Sequence, residues 1–535
     1  MLSRPIRPRS IAACILFIGA LVLFALQLRT LYTVPVYDSV RWGGDETWLM
    51  REFGNQIERG AMSYPENFGG PRRTDGVLAG SMWVDAVIYG ATGSMFFPAH
   101  DYVSVGRTVT AILALILLAS IYFILWKLGV SPLLASASLL LVVTSQGFVW
   151  ATHSARYDLL TGLTLIWYCY YLSRHENVTR APMFFAGIIG IAAICFSRHL
   201  LLLGFAASLA FLFRQRVWKR PALLWAWVAG SAVASFVLSI AYFAGAGEFS
   251  LFGRGGSEGS YSFVLNQIPI LRPFSRNVQV SNLVERFHLF SMDAPGILVV
   301  IGISILCVLG YSLAGGQKER FSRLRIRKTN GEKFFLLCTL LCTIVWLLAE
   351  GSRPYYLFHI VPLLVIGGTL ALELWSEISA LIVMAVSIVF AAQHAIPSNT
   401  LGEAIARDQS ATVTRFLDET PRKSLILLDV AGLDRALTDT ARQVLTLDMF
   451  QPPHEASALV QKLISNHIDY VILRSSPVGT PFEPGRALLP HVLDSIGTIR
   501  DSAFGFFYDD GRSYDASMGE LLDQGLDTLR LYRVR

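Results

Sequence analysis

The sequence of 535 residues is 53% hydrophobic and only 16% charged, with a formal net charge of +6. A soluble globular protein has about 25% charged residues, so this composition excludes that class and predicts a polytopic membrane protein. The positive charge does not indicate nucleic-acid binding, because the lysines and arginines form short clusters between apolar runs. All six cysteines lie inside apolar runs, which predicts neither a disulfide framework nor a metal site.

The apolar runs predict about eleven transmembrane helices. The first run, Ile11–Leu31, follows three arginines and is long enough to be a retained anchor with its amino terminus in the cytoplasm. The later runs are Thr108–Trp126, Leu133–Trp150, Tyr157–Leu172, Ala181–Phe196, Leu200–Phe213, Ala222–Phe243, Gly296–Leu313, Phe334–Ala349, Tyr355–Leu372 and Ile378–Ala392. Alternating sides puts Lys127 and the basic segments 174–180, 214–220 and 318–333 in the cytoplasm, as the positive-inside rule requires.

The first outer loop, residues 33–101, is predicted to be the catalytic region. It opens with Arg41-Trp42-Gly43-Gly44-Asp45-Glu46-Thr47-Trp48, where two carboxylates follow two glycines between tryptophans suited to a membrane interface. Taken alone, this stretch also fits a solvated loop that carries an acidic pair by chance. The run Leu78–Phe97 holds Asp85 and is predicted to lie along the interface, since counting it as a span would move the later basic segments outside.

Two further regions are predicted outside the membrane. A second outer loop, residues 245–295, contains the glycine-rich run 253–259, which lacks the Lys-Ser/Thr pair of a phosphate cradle and fits a mobile lid or a plain loop. From residue 397 to 535, β-rich runs alternate with helix-like stretches, which predicts a soluble α/β domain after a membrane domain of residues 1–396. This domain lacks the spaced glycines of a dinucleotide site, so no cofactor is assigned to it; acceptor binding and structural support are both open roles.

With this organisation the chain resembles the GT-C superfamily of membrane glycosyltransferases, in particular protein O-mannosyltransferases and lipid A aminoarabinose transferases. The resemblance covers Ile11 to Gln393. It rests on the Asp45-Glu46 pair, the interfacial helix, and three outer segments: His153-Ser154-Ala155-Arg156-Tyr157-Asp158, Ser197-Arg198-His199, and Arg353-Pro354-Tyr355-Tyr356 with Pro362 beyond it. An aminoarabinose transferase is expected to carry Lys-Pro-Pro after the first loop, where this chain has Pro71-Arg72-Arg73-Thr74-Asp75-Gly76, so the sugar stays open.

The resemblance implies transfer of a sugar from a polyprenyl-phosphate donor to an acceptor on the outer face of the inner membrane. Such a donor needs a base for the acceptor hydroxyl and positive charge for the departing phosphate, and one displacement inverts the anomeric carbon. Asp45 is the predicted base, and Glu46 orients it or helps to bind a divalent cation; no other cofactor is implied. The arginines predicted to bind the donor phosphate are Arg353, Arg156 and Arg198. The other candidates for substrate binding are Arg72, Arg73, Asp158, His199 and Tyr355.

Several alternatives stay open at this point. The acceptor is a lipid, a glycan or a protein, and membrane lipids surround the chain. A ligase or polymerase of lipid-linked polysaccharide would carry its large outer loop late in the membrane region, and a secondary transporter would show repeated halves and broken helices. A non-catalytic scaffold is the third alternative. His153, His199 and His359 could each supply a metal ligand together with a carboxylate, but none shows the His-x-x-x-His spacing of a zinc site. A lone histidine at a helix end is more often an ordinary hydrogen-bonded residue, and the metal stays open.

Overall fold

The computed structural model describes two compact units of the chain. The described residues are 8–29, 31, 102–153, 158–175, 179–216, 219–246, 287, 290, 291, 294–313, 330–348, 357–373, 376–393, 421, 424–428, 443–446, 456–474, 493–501 and 527–534. The predicted interfacial run Leu78–Phe97 and the glycine-rich run 253–259 lie outside these residues. The helical unit ends at Asn399, and the predicted domain boundary after residue 396 stays a prediction.

Apolar helices make up the first unit. Their bounds are α1 Pro8–Leu28, α2 Tyr102–Lys127, α3 Pro132–Thr144, α4 Gln146–His153, α5 Asp158–Arg174, α6 Arg180–Phe196, α7 Leu200–Arg214, α8 Pro221–Ala246, α9 Pro295–Leu313, α10 Asn330–Leu348, α11 Leu357–Glu373 and α12 Glu377–Gln393. Most of each predicted apolar run is thus helical, with two helices in Leu133–Trp150, because a helix satisfies its backbone groups internally where water is absent. The prediction of a mainly α, apolar chain is confirmed.

Length and composition qualify two of the described helices to cross a membrane, over Arg9–Leu28 and Ser104–Lys127. The pair α3 and α4 makes a third span if the two helices are counted together. The count of about eleven spans therefore stays a prediction.

The run predicted as one helix over Leu133–Trp150 is bent by 72° between α3 and α4. Ser131 caps the first turn of α3 by accepting a bond from the Leu134 N–H, and Pro132 stands at the first turn. The helix ends at Ser145, whose backbone is extended and whose N–H and Oγ both donate to the Val142 carbonyl. Ser145 thus caps the end of α3, and apolarity alone did not predict this break.

Contacts between helix ends define one end of the bundle, here called the Arg9 end. The starts of α1 and α12 are joined by Arg9 Nη1 and Glu377 Oε2, which lie 3.1 Å apart. The ends of α5 and α7 are joined by Gln215 Nε2, which donates to the His175 carbonyl at 3.1 Å. The end of α7 contacts the start of α10, where the Arg214 guanidinium lies 4.8 Å from the centre of the Phe334 ring. The basic segments 174–180, 214–220 and 318–333, which are predicted to be cytoplasmic, adjoin these helix ends.

Helix α5 packs against α11 at the opposite end of the bundle. A Cβ at Gly162 would collide with the Phe358 carbonyl oxygen and would lie 2.9 Å from Pro362 Cγ. Pro362 has no N–H to give to the Phe358 carbonyl one turn earlier. Only a glycine in α5 permits this approach, which brings the first turns of α5 and α11 together.

The second unit contains a five-stranded sheet of order β2-β1-β3-β5-β4. The strands are β1 Leu425–Leu428, β2 Gln443–Thr446, β3 Tyr470–Arg474, β4 Leu493–Asp501 and β5 Asp527–Val534, with helix α13 at Ala456–Ser465. β1 pairs in parallel with β2 and β3, whereas β5 is antiparallel to β3 and β4. The sequence pattern did not predict β4, because this edge strand is polar and carries an irregularity between Ser495 and Gly497.

Candidate functional site

Almost all of the predicted site residues lie outside the described part of the chain. These are Asp45, Glu46, Arg72, Arg73, Arg156, Arg198, His199, Arg353 and Tyr355. Asp158 is described as the first residue of α5, without its side chain. Contacts among these side chains therefore lie outside the described part of the chain, and their roles stay predictions. It does describe the helix ends from which their segments leave.

The segments that carry the predicted residues leave the bundle at one end, here called the His153 end. Helix α1 ends at Leu28 before the first loop, α4 ends at His153, and α5 and α11 begin beside each other. Helix α7 begins at Leu200, and its Leu203 carbonyl lies 3.5 Å from Cys342 Sγ in the last third of α10. The turns with Arg156, Arg198 and Arg353 thus adjoin helix ends that share one end of the bundle.

Among the described residues, Arg107 is the charged side chain buried most deeply at this end. It lies in the second turn of α2, is 2% exposed, and donates from Nη1 to the Leu31 carbonyl oxygen at 2.8 Å. Leu31 is itself buried at 3% exposure, just beyond the end of α1. A buried arginine in a membrane helix is costly and usually pairs with acids or backbone carbonyls, so a functional reason for one is the default interpretation. Its described bond holds the chain where the first loop begins.

His153 holds the same part of the chain from another helix. The side chain is 6% exposed, and its Nε2 lies 3.0 Å from the Gln27 carbonyl oxygen in the last turn of α1. Its Nδ1 lies 2.7 Å from the Val149 carbonyl oxygen and 3.2 Å from Thr152 Oγ1. The end of α4 is thereby bonded to the end of α1.

Gln27 adds a bond between α1 and the bend that follows α3. Its Nε2 donates to the Val143 carbonyl oxygen at 2.9 Å. If α3 continued, residue 147 would donate to this carbonyl, but the break at Ser145 leaves it available to α1. The bend between α3 and α4 therefore supplies two attachment points for α1, at Val143 and at His153.

A line of buried rings sets the position of α4 between α1 and α11. The Phe148 ring centroid lies 5.9 Å from that of Phe24 in α1 and 5.9 Å from that of Phe358 in α11. Such ring pairs contribute about 0.5–1.5 kcal/mol each beyond their buried area. His359, 2% exposed, follows Phe358 in the first turn of α11. The apolar packing thus places α11, which follows the Arg353 segment, near the end of α1 that His153 and Arg107 contact.

Sequence reasoning missed Arg107 and Gln27 as site residues. The predicted apolar run began at Thr108, which left Arg107 outside the helix, whereas α2 begins at Tyr102 and buries that side chain. The one sequence feature that could have identified Arg107 was its place directly before the long apolar run Thr108–Trp126. Among the described residues, no group of three or more His, Cys, Asp or Glu side chains is suited to a metal ion. The divalent cation predicted at Glu46 stays a prediction.

The comparisons with known proteins are structural. No protein-family model and no curated protein matches the chain. The fold is similar to that of ArnT from Cupriavidus metallidurans in the apo state, with a TM-score of 0.49 and 12% identity over 98% of both chains. It is also similar to the oligosaccharyltransferase AglB from Archaeoglobus fulgidus in complex with an inhibitory peptide and a dolichol-phosphate. That match has a TM-score of 0.45 and 12% identity over 85% of this chain and 69% of AglB.

The predicted resemblance to GT-C glycosyltransferases is confirmed as a structural likeness. ArnT is a lipid A aminoarabinose transferase, and both proteins are GT-C glycosyltransferases. At TM-scores below 0.5 the likeness identifies no site residue, donor or acceptor in this chain.

Proposed function

We propose that the protein is a membrane glycosyltransferase that moves a sugar from a polyprenyl-phosphate donor to an acceptor at the His153 end of the bundle. One observation carries the proposal. The helix ends that flank the acidic first loop and the three arginine-bearing turns share this end, and buried Arg107 and His153 hold the start of the loop there. A membrane-embedded donor with a charged phosphate needs carboxylates and arginines on one side of the bundle.

The proposed reaction is a single displacement. The acceptor hydroxyl oxygen attacks the anomeric carbon while the bond from that carbon to the phosphate oxygen breaks, and the departing phosphate keeps the electron pair. Asp45 takes the hydroxyl proton, and Glu46 orients Asp45 or helps to bind a divalent cation. Arg353, Arg156 and Arg198 hold the donor phosphate, because a guanidinium can grip two phosphate oxygens and stays protonated.

The proposed orientation puts the Arg9 end in the cytoplasm of the cell and the His153 end on the extracytoplasmic face of the inner membrane. The basic segments 214–220 and 318–333 adjoin helix ends at the Arg9 end, as the positive-inside rule requires. About eleven spans then place the C-terminal residues outside as a soluble α/β domain. The acceptor is a lipid, a glycan or a protein.

A secondary transporter is the second candidate, because the bent pair α3 and α4 is a broken helix whose Ser145 and Gln146 are buried. A ligase or polymerase of lipid-linked polysaccharide is the nearest enzymatic alternative. The acidic pair in the first loop favours the glycosyltransferase over both.

Radiolabelled polyprenyl-phosphate sugars test the proposal on the purified chain in lipid nanodiscs. We expect hydrolysis or transfer of at least one sugar of the panel. The Asp45→Asn variant is the matched control, and it should bind that donor and release no sugar. Uptake of label by vesicles without cleavage would indicate a transporter, and no cleavage of any donor would overturn the proposal.

A reporter fusion after Gln393 tests the orientation separately. Alkaline phosphatase activity at this point is expected, whereas fluorescence of a cytoplasmic reporter without phosphatase activity would overturn the outer position of the C-terminal residues.

A further inference from the structure

Aromatic side chains from the last turns of α2 and α5 form a cluster toward the Arg9 end of the bundle, here called the ring cluster: Phe123, Trp126, Trp167 and Tyr170. Phe123 contacts the other three, with ring centroids 6.1 Å away for Trp126, 5.8 Å for Trp167 and 6.4 Å for Tyr170. Trp126 is 51% exposed and Trp167 is 39% exposed. Tryptophan and tyrosine are enriched where membrane helices meet the lipid headgroups, so the ring cluster indicates an interface.

A cation lies over the rings at the end of each of these two helices. Lys127 Nζ lies 4.4 Å from the centre of the Trp126 ring and 5.4 Å from that of Phe123. The Arg174 guanidinium lies 5.9 Å from the centre of the Tyr170 ring. Both cations are exposed. A ring face attracts the charge without accepting a strong hydrogen bond, so the N–H groups of both cations stay available to an oxygen acceptor.

The positive charge of the two cations is not balanced by a carboxylate within the described part of the chain. Neither Lys127 nor Arg174 forms an ion pair there. The described acid beside the end of α2 is Glu332, whose Oε1 would lie 3.7 Å from a Cβ at Gly129. Glu332 is only 9% exposed, and it is not paired with Lys127. The exposed surface at the ring cluster is therefore positive and complements an anion.

An exposed apolar face of α2 leads from the middle of the helix to the ring cluster. Helix α2 is apolar and long enough to cross a membrane over Ser104–Lys127. Ile112, Leu115 and Ile116 are 44–47% exposed and share one face, because they lie three or four residues apart. The same face continues to Trp126, about three turns after Leu115. A molecule that covers this surface thus needs an anionic group at one end and apolar chains at the other.

We propose that the ring cluster, together with Lys127 and Arg174, is a binding site for an anionic phospholipid. The lipid phosphate binds to the two cations, which lie over neighbouring rings, and the acyl chains lie along the exposed face of α2. Lys127 supplies a compact charge, and Arg174 can hold two phosphate oxygens with its planar fork. The site is independent of the proposed function, because it lies at the end of the bundle opposite the His153 end.

The surface favours an anionic phospholipid over other occupants. A zwitterionic phospholipid brings an ammonium group of its own, which the two cations repel. A free phosphate ion matches the charge but makes no use of the apolar face of α2. A symmetric contact with a second copy of the chain would place the same cations opposite each other.

Native mass spectrometry of the full chain in detergent tests the site by titration with phosphatidylglycerol or phosphatidylcholine. We expect the wild type to bind phosphatidylglycerol more tightly than phosphatidylcholine. Loss of both charges in the double variant Lys127→Gln with Arg174→Gln should weaken phosphatidylglycerol binding by about thirtyfold, or about fivefold for each cation. Trp126→Leu keeps both charges and should weaken binding by about two- to fivefold. Lys127→Arg should bind as the wild type does.

Two matched controls separate the site from general attraction by positive charge. Lys333→Gln removes an exposed lysine near the start of α10 at the same end of the bundle, and Arg29→Gln removes an exposed arginine at the other end. Both variants should bind phosphatidylglycerol as the wild type does. Melting temperatures without added lipid should match the wild type in every variant, because the replaced side chains are exposed, and this checks that the fold is intact.

Several results would overturn the proposal. Wild-type affinity in the double variant, or equal affinity of the wild type for the two lipids, would remove the site. An equal loss of binding in Lys333→Gln would show attraction without a site. Displacement of phosphatidylglycerol by millimolar inorganic phosphate would assign the cations to a free anion. A dimer that disappears in the double variant would assign the surface to a second copy of the chain.

Discussion

The two ends of the helical bundle use charged side chains in opposite ways. At the Arg9 end, Arg9 is 74% exposed and pairs with the carboxylate of Glu377, side chain to side chain. At the His153 end, buried Arg107 and His153 contact carbonyl oxygens of the backbone. An exposed pair is solvated in either state and contributes little, whereas a buried cation is costly unless it does something that an apolar residue cannot. The comparison teaches that charge at the Arg9 end joins two side chains at the surface, whereas charge at the His153 end holds the backbone of another helix.

The largest expected effect comes from Asp45→Asn, which tests whether the His153 end is the chemical one. The amide keeps the shape of the carboxylate and removes its basicity, so transfer should fall by about 10²–10⁴-fold with donor binding retained. Asp38→Asn in the same loop is the matched control and should transfer normally. Glu46→Gln should be milder than Asp45→Asn, and the reverse order would exchange the two roles. Turnover of the radiolabelled donor is the measurement.

Arg353→Ala should give the next largest effect. Loss of a charged hydrogen bond to the donor phosphate weakens donor binding by about ten- to a hundredfold and slows the chemical step. Arg353→Lys should keep part of both, because the ammonium supplies charge without the planar fork. Donor affinity and melting temperature are measured on the same preparations. Unchanged affinity together with a lower melting temperature would show that Arg353 supports the fold only.

Gly162→Ala should lower stability and sharpen the comparison between the ends. The added methyl group would collide with the Phe358 carbonyl and Pro362, which forces α5 and α11 apart at a cost of about 1–3 kcal/mol. Gly204→Ala in α7 is the control, because nothing lies within 4 Å of a Cβ there. Thermal unfolding in nanodiscs compares the two variants. Equal melting temperatures would contradict the close contact of α5 with α11.

Arg9→Ala should give the smallest effect. The pair with Glu377 lies at the surface, so its loss changes stability by less than about 1 kcal/mol and leaves turnover unchanged. Melting temperature and donor turnover check both expectations. A loss of activity as large as that expected for Arg353→Ala would contradict the distinction between the two ends.

The sequence by itself determined where helices form. Most of each run from Ile11–Leu31 to Ile378–Ala392 is helical, because apolarity over that length leaves the backbone no other way to bond in a membrane, although Leu133–Trp150 forms two helices instead of one. Even the short predicted run Leu200–Phe213 is helical, as α7 over Leu200–Arg214. The sequence also showed that the basic segments 174–180, 214–220 and 318–333 adjoin helix ends, because the charge beside a helix end is a local property of the chain.

Only the tertiary structure decided how the His153 end is held. Arg107 and Leu31 are far apart in the chain, as are His153 and Gln27, so no local sequence pattern predicts these hydrogen bonds. The bend at Ser145 depends on a partner as well, because the Val143 carbonyl that it leaves open is bonded by Gln27 of α1. The edge strand β4 forms by antiparallel backbone pairing with β5, and its own polar sequence did not predict it. Propensity and apolarity act along the chain, whereas carbonyl partners, close helix contacts and edge strands depend on which segments meet.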